Sequence, residues 1–280
     1  MPGVLGITGS TGRLGGRIAR LLAEAGAEQR LVVRSPERAP ELPGTEVVRA
    51  EYRDGDAVRR ALTGLDTVLM VSGAESADRL HEHRTFIDAA ADAGVRHLVY
   101  VSFYGAAPDA TFTLVRDHHA TEQHIAASGM TSTFLRDNLY LDFFPLLADE
   151  HGVIRGPAGD GRVAAVAQDD IARVATQVLL APYDHEGRTY SLTGPEAITL
   201  AEGAETMTRI LGRPFSYVEE TVEEAYASRA SYGAPDWQLD AWVSTYTAIA
   251  AGEVAGVTDD VERLTGRAPL SLAALLEGRG

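Results

Sequence analysis

The chain has 280 residues, 45% hydrophobic and 23% charged, and contains no cysteine. That length accommodates one large domain or two unequal ones, while the missing thiols exclude disulfides, thiolate metal ligands, iron–sulfur clusters and cysteine nucleophiles. Forty acidic against 25 basic residues give a formal net charge of −15, so a nucleic-acid backbone would meet a repulsive average field and nucleic acid is not an expected partner.

Up to about residue 135, short β-rich runs at 4–8, 30–33, 46–49, 67–72, 97–102 and 131–135 alternate with helical stretches. This is the pattern of repeated βαβ units and a parallel sheet. In the stretches between, Leu14, Ile18, Leu21 and Leu22 recur on one face, as do Phe86, Ile87, Ala90 and Ala91 before Gly94, so these helices should cover the sheet. The first run begins without a basic leader, and no apolar run approaches the roughly 18 residues of a membrane span. A cytoplasmic location without a membrane partner is therefore expected.

Beyond residue 136 the alternation breaks into an aromatic segment, LYLDFFPLL, and then Gly-rich turns. The spacing predicts a helix over 169–180 and a strand over 189–192, so segments around 161–192 should add to the first domain. From Leu200 onward the reading is mainly helical, including 236–251 and 258–264. The expected architecture is a Rossmann-type doubly wound α/β domain over 1–135 and a smaller, mainly helical substrate-binding lid over 136–280.

Residues 8–16 read TGSTGRLGG between a strand and a helix. Gly9 can make the tight turn, Gly12 admits a pyrophosphate close to the backbone, and Gly15 packs helix on strand, while the helix N-terminus favours negative charge. Ser10 belongs to the same loop. A plain glycine-rich turn is the alternative, and the position at the first strand and first helix counts against it. Arg34 follows the second strand nineteen residues after Gly15, where NAD enzymes usually carry an acid on the ribose diol. A cation there, with Ser35 and Arg38, could hold a 2′-phosphate, which predicts NADPH as preferred cofactor with NADH possible. A solvated surface arginine is the alternative, and its register with the glycine loop counts against it.

At this point the chain resembles the NmrA-like atypical short-chain dehydrogenases, in particular the second type of quinone oxidoreductase and the triphenylmethane reductases. The resemblance runs almost end to end, through TGSTGRLGG, VVRSPER, AEYRDGDAV, HEHRTFIDAA, VSFYGA, DHHATEQHIAASG, FLRDNLYLDFF and YTAIAAGE. It implies that Gly9, Thr11, Gly12, Arg13, Leu14 and Gly15 line the pyrophosphate and Arg34 the adenosine phosphate. It also implies that Asp54 approaches the adenine and that Ser72 and Gly73 pass beneath the nicotinamide-side ribose.

Short-chain dehydrogenases usually carry a tyrosine followed four residues later by lysine. Counting back from Glu122 places His118 at the lysine position and Leu114 at the tyrosine position, so the usual proton donor is missing and plain ketone reduction is not expected. His118, the candidate catalytic residue, could hold the cofactor ribose or donate a proton, or simply pair with Glu122 one turn on. Ser102 ends the fifth strand, at the edge where open α/β sheets bind ligands, and Phe103 follows it. Tyr104, Asn138, Tyr140 and Phe143 offer polar and aromatic groups to a flat substrate, or pack between domains.

Metal is not expected: His81 and His83 do not share a helix face, and HExxH is absent. A hydrolase lacks its GxSxG elbow. The leading expectation is an enzyme that passes hydride from NADPH to a planar, electron-poor acceptor such as a quinone or triarylmethane cation. The alternative is a dinucleotide-binding redox sensor without turnover. Small molecules are the expected partners, and a monomer or homodimer the expected state.

Overall fold

The computed structural model describes residues 3–278. Six strands come first: β1 (Leu5–Thr8), β2 (Gln29–Val33), β3 (Thr45–Arg49), β4 (Thr67–Val71), β5 (His97–Phe103) and β6 (Thr131–Asp137). After two short strands, β7 (Val153–Gly156) and β8 (Arg162–Val163), β9 (Thr189–Leu192) completes the main sheet. Its order is β3-β2-β1-β4-β5-β6-β9, and the ladders that join β1 to β5 are parallel. Parallel pairing needs long crossovers, which α1 (Arg13–Glu24), α2 (Gly55–Leu62), α3 (Arg79–Asp92), α4 (Thr113–Ala127) and α5 (Gln168–Leu180) supply.

Every residue of β1 and β5 is buried, as a sheet covered on both faces requires. Alternate side chains Val32, Val68, Met70, Leu98 and Tyr100 share one core with Val58, Leu62, Phe86, Ile87 and Ala90 from α2 and α3. This is the apolar stripe the spacing predicts. Because β1 has β2 on one side and β4 on the other, the crossovers diverge there and leave a crevice at the carboxyl ends of β1 and β4. Open α/β sheets bind ligands at such a switch point.

Residues up to Phe103, with Asp117–Arg136 and Ile171–Tyr190, form one compact unit. The other comprises Tyr104–Arg116, Asp137–Asp170 and the chain from Ser191 onward. In it, β10 (Ile198–Thr199) pairs antiparallel with β8, and β11 (Ser216–Glu219) pairs parallel with β7. Its helices are α6 (Leu200–Leu211), α7 (Val222–Arg229), α8 (Asp236–Ala250), α9 (Asp260–Thr265) and α10 (Leu272–Glu277).

The sequence pattern anticipates α5, β9, α8 and α9 to within a residue or two. It misses β7, β8, β10 and β11, which are two to four residues long and exist only through pairing with distant partners. The aromatic segment becomes a 3-10 helix over Leu141–Leu146, with Pro145 inside it.

Candidate active site

The glycine loop follows β1 directly. Gly9 has φ +66, a left-handed conformation that costs glycine little, and its carbonyl accepts from Gly12 N at 2.9 Å. A Cβ on Gly15 would lie 2.4 Å from that carbonyl oxygen, whereas one on Gly12 would lie 3.2 Å away and otherwise meet open space. The two glycines thus differ: packing dictates Gly15, while the fold leaves room at exposed Gly12 that only a ligand would need.

Gly12 is also the N-cap of α1, and no side chain caps the helix or places an acid in its first turn. A side chain caps α2, α6, α7 and α10, whereas α3, α8 and α9 share the lack of a cap with α1. The first N–H groups of α1 are therefore open to an external anion. Beside them the Ser10 hydroxyl is buried without a hydrogen-bond partner among the described residues. An orphaned donor, an uncapped helix end and open space left by a glycine at the helix start together fit the pyrophosphate of a dinucleotide. Thr11 and exposed Arg13 stand at the loop's rim, and Leu14 is buried beneath it.

Arg34 emerges exposed directly after β2, and no ion pair ties it to another described residue. Asp54 serves its own helix, because its carboxylate accepts from Ala57 N at 3.0 Å and caps α2.

The carboxyl ends of β1 and β4 are stapled by polar groups. Tyr52 donates to Val71 O at 2.6 Å, Thr8 Oγ1 lies 2.6 Å from the same phenol oxygen, and Val71 N donates to Thr8 Oγ1 at 2.9 Å. Ser72 and Gly73 continue from this clasp. Gly73 N donates to His83 Nε2 at 2.8 Å, and Gly73 O accepts from Arg79 Nε at 3.1 Å, so both sides of this peptide are held by α3.

These bonds fix two tautomers. His83 Nε2 accepts, so its proton sits on Nδ1, facing Thr121 Oγ1 at 3.0 Å, and Thr121 passes its own proton to Asp117 O at 2.7 Å. Arg79 Nη2 lies 2.9 Å from His118 Nε2, and a guanidinium can only donate. His118 therefore carries its proton on Nδ1, directed at Tyr100 Oη 3.0 Å away. Burial depresses both imidazoles, His83 to about 3 with help from Arg79, and His118 well below its usual range with Arg79 and His83 adding to the effect. Tyr100 is pushed up by burial. All these groups are neutral except Arg79.

His118 consequently has no Nε2 proton to give, and the alternative pairing with Glu122 is not made. Glu122 instead takes a two-pronged contact from Arg136, at 2.9 and 2.5 Å, and the Ser102 hydroxyl at 2.6 Å. Ser102 is fully buried and its hydroxyl is committed to that carboxylate, which corrects the expectation that its position at the sheet edge offers it to a ligand. Phe103 lies against His118, ring centres 5.9 Å apart, and Leu114 is half-buried.

The four expected substrate residues lie in the second unit. Asn138 is fully buried, donates to Val254 O at 2.9 Å and accepts from Leu139 N at 2.7 Å. It braces the backbone and has no surface for a substrate, contrary to expectation. Tyr140 donates to Asp137 at 2.7 Å and tilts against Phe143, which is 40% exposed. Tyr104 is half-buried, its hydroxyl over Gly256.

Sequence reasoning passes over Tyr52, Arg79, His83, Tyr100 and Thr121. One signal was available: His83 falls in register with Phe86, Ile87 and Ala90 on the buried face of α3, where a polar side chain must find a partner. Among the described residues no group of His, Asp and Glu could hold a metal.

Residues 9–182 match the NAD(P)H-binding family. The chain is 37% identical to (4-alkanoyl-5-oxo-2,5-dihydrofuran-3-yl)methyl phosphate reductase of Streptomyces griseus, over 93% of this chain and 92% of that one. Among solved structures it is similar to an NADPH-dependent quinone oxidoreductase of Escherichia coli complexed with NADPH, with TM-score 0.90, 30% identity and 98% and 99% of the two chains covered. It is also similar to the triphenylmethane reductase of Citrobacter sp. complexed with NADP(H), with TM-score 0.87, 29% identity and the same coverage.

Proposed function

The chain belongs to the NAD(P)H-binding family, and from that premise we propose that it is an NADPH-dependent reductase of planar, electron-poor acceptors such as quinones or triarylmethane dyes. The observation that carries this reading is the uncapped N-terminus of α1 beside a glycine turn that is closed to side chains at Gly9 and Gly15 and open at Gly12. When bound there, NADPH supplies the hydride.

The remaining work falls to the chain's own residues. The loop from Gly9 to Gly15 receives the pyrophosphate through backbone N–H groups, with Ser10 as an added donor. Arg34, where an NAD enzyme would carry an acid, favours a 2′-phosphate. Ser72 and Gly73 offer backbone to the nicotinamide-side ribose, and His118 and Phe103 order the ground beside them. The polar cluster holds its protons in a fixed sequence and presents none to an acceptor. That arrangement suits acceptors that delocalise the incoming charge, because positioning and electrostatics then outweigh general acid catalysis. The net negative charge favours cationic acceptors.

Exposed Phe143, with Tyr140 and Tyr104, is the aromatic surface we assign to the acceptor. We place the protein in the cytoplasm, as a monomer or homodimer acting on small molecules; no helix among the described residues is long and apolar enough to cross a membrane.

Steady oxidation of NADPH in the presence of a benzoquinone or a triarylmethane cation is the expected result. Tight NADPH binding without oxidation by either acceptor would contradict it and leave the sensor as the better reading.

A further inference from the structure

Arg79 is a cation in an expensive place. Its side chain is 5% exposed, and it occupies the first turn of α3, where the helix dipole disfavours positive charge. Desolvation adds to that cost. Its one carboxylate neighbour in the cluster, Asp117, stands 3.6 Å from Nη1 and is 30% exposed, and Nη1 makes no hydrogen bond among the described residues. A residue held for stability alone would not be placed this way. What Arg79 does make are two directed contacts, Nε to Gly73 O and Nη2 to His118 Nε2.

We propose that Arg79 is a positioning residue for the cofactor site: by donating at once to the Gly73 carbonyl and to His118 Nε2, it pins the loop after β4 and holds His118 as a neutral ring with its proton on Nδ1. This rests on reading Ser72 and Gly73 as the cofactor's resting place. A guanidinium has no lone pair to offer, so whatever faces it must accept, and the consequence runs from Arg79 to His118 and on to the oxygen of Tyr100. From the other side the Gly73 amide imposes the same Nδ1 tautomer on His83. Thr121, which faces His83 Nδ1 at 3.0 Å, stands on the same helix as His118.

The groups facing His118 are Arg79 and His83 from α3, Tyr100 and Phe103 from β5, and Asp117 from its own helix. Among these Arg79 is the only cation. Its removal should let His118 move between its two neutral tautomers, and should release the Gly73 carbonyl.

The test is nitrogen NMR of the imidazoles in cofactor-free protein, paired with steady-state kinetics. In the unaltered protein His118 should show the neutral Nδ1–H signature throughout about pH 5 to 8, the range in which free imidazole titrates. In Arg79→Met, where burial still keeps the ring neutral, it should show a mixture of Nδ1–H and Nε2–H signatures, because nothing then obliges Nε2 to accept. KM for NADPH should rise about tenfold, the scale of one lost charge-assisted hydrogen bond, with a smaller change in kcat for a cationic dye. Arg79→Lys, which keeps the charge and loses one of the two contacts, should retain more of the Nδ1–H tautomer than Arg79→Met and give an intermediate KM. An unchanged His118 signature in Arg79→Met would overturn the proposal, as would an unaltered KM. If that variant does not fold, Arg79→Lys decides: a KM equal to that of the unaltered protein overturns the proposal. Failure of the unaltered protein to bind NADPH would instead remove the cofactor reading, and the NMR result would still decide whether Arg79 fixes His118.

Discussion

The loop from Thr8 to Gly16 and the cluster around His118 are built in opposite ways. The loop is nine consecutive residues whose backbone makes the site, so its chemistry is written in the order of its glycines. The cluster draws Gly73, Arg79, His83, Tyr100, His118 and Thr121 from a loop, a strand and two helices. There the side chains act by ordering one another's protons. A backbone site tolerates almost any neighbour and fails when a side chain intrudes; a side-chain network fails when one donor is removed or an extra proton arrives.

The sharpest way to break the loop is Gly12→Val. Its Cβ would have 3.2 Å to Gly9 O and open space beyond, so the fold should survive while the pyrophosphate loses its seat. Calorimetric titration should find no NADPH binding in a protein that unfolds as cooperatively as the original. Undiminished binding would make the loop structural only.

Acid should break the cluster in preference to the loop, which contains no carboxylate or imidazole. In the unfolded chain His83 takes up a proton near 6.5, but in the folded protein only near 3. Stability is therefore full above 6.5 and falls as pH drops from 6.5 toward 3, by about 1.4 kcal/mol per pH unit for each such imidazole. His118, depressed in the same direction, adds to the slope. Urea denaturation at a series of pH values should show the loss beginning near pH 6, and His83→Gln should flatten the curve. A stability unchanged from pH 7 to 5 would contradict the neutral, buried state of His83.

Arg34 sharpens the comparison from the loop's side, because it is exposed and unpaired among the described residues. Arg34→Ala should weaken NADPH binding by on the order of 1.5 to 3 kcal/mol, the scale of a charge-assisted hydrogen bond, and leave NADH nearly unchanged. Equal affinity of the unaltered protein for both dinucleotides would remove its role.

The same contrast explains what was legible in the sequence. Five of the six early strands and the helix faces follow from apolar spacing, and the loop from glycine spacing, because those signals are local. β3 is a weaker case: its exposed edge has little apolar pattern, yet its β-branched valines suffice. β7, β8, β10 and β11 are too short to carry a period and depend on distant partners. Within the site, His118 is found by position, but its neutrality is invisible without Arg79, which lies 39 residues earlier. Ser102 and Asn138 mislead for a related reason: both sit where a ligand residue is expected, and burial against Glu122 and Val254 commits them elsewhere.

Hydride transfer to the acceptor without a dedicated proton donor is the central claim, and His118→Ala tests it most directly when turnover is measured on two acceptors. A quinone gains a proton as it is reduced, while a triarylmethane cation needs none. The expected loss is about tenfold on both, roughly 1.4 kcal/mol, the size of a misaligned contact. Collapse of quinone turnover by the 10² to 10⁴-fold roughly expected of a lost general acid, with dye reduction intact, would show that His118 delivers the proton and would contradict the claim.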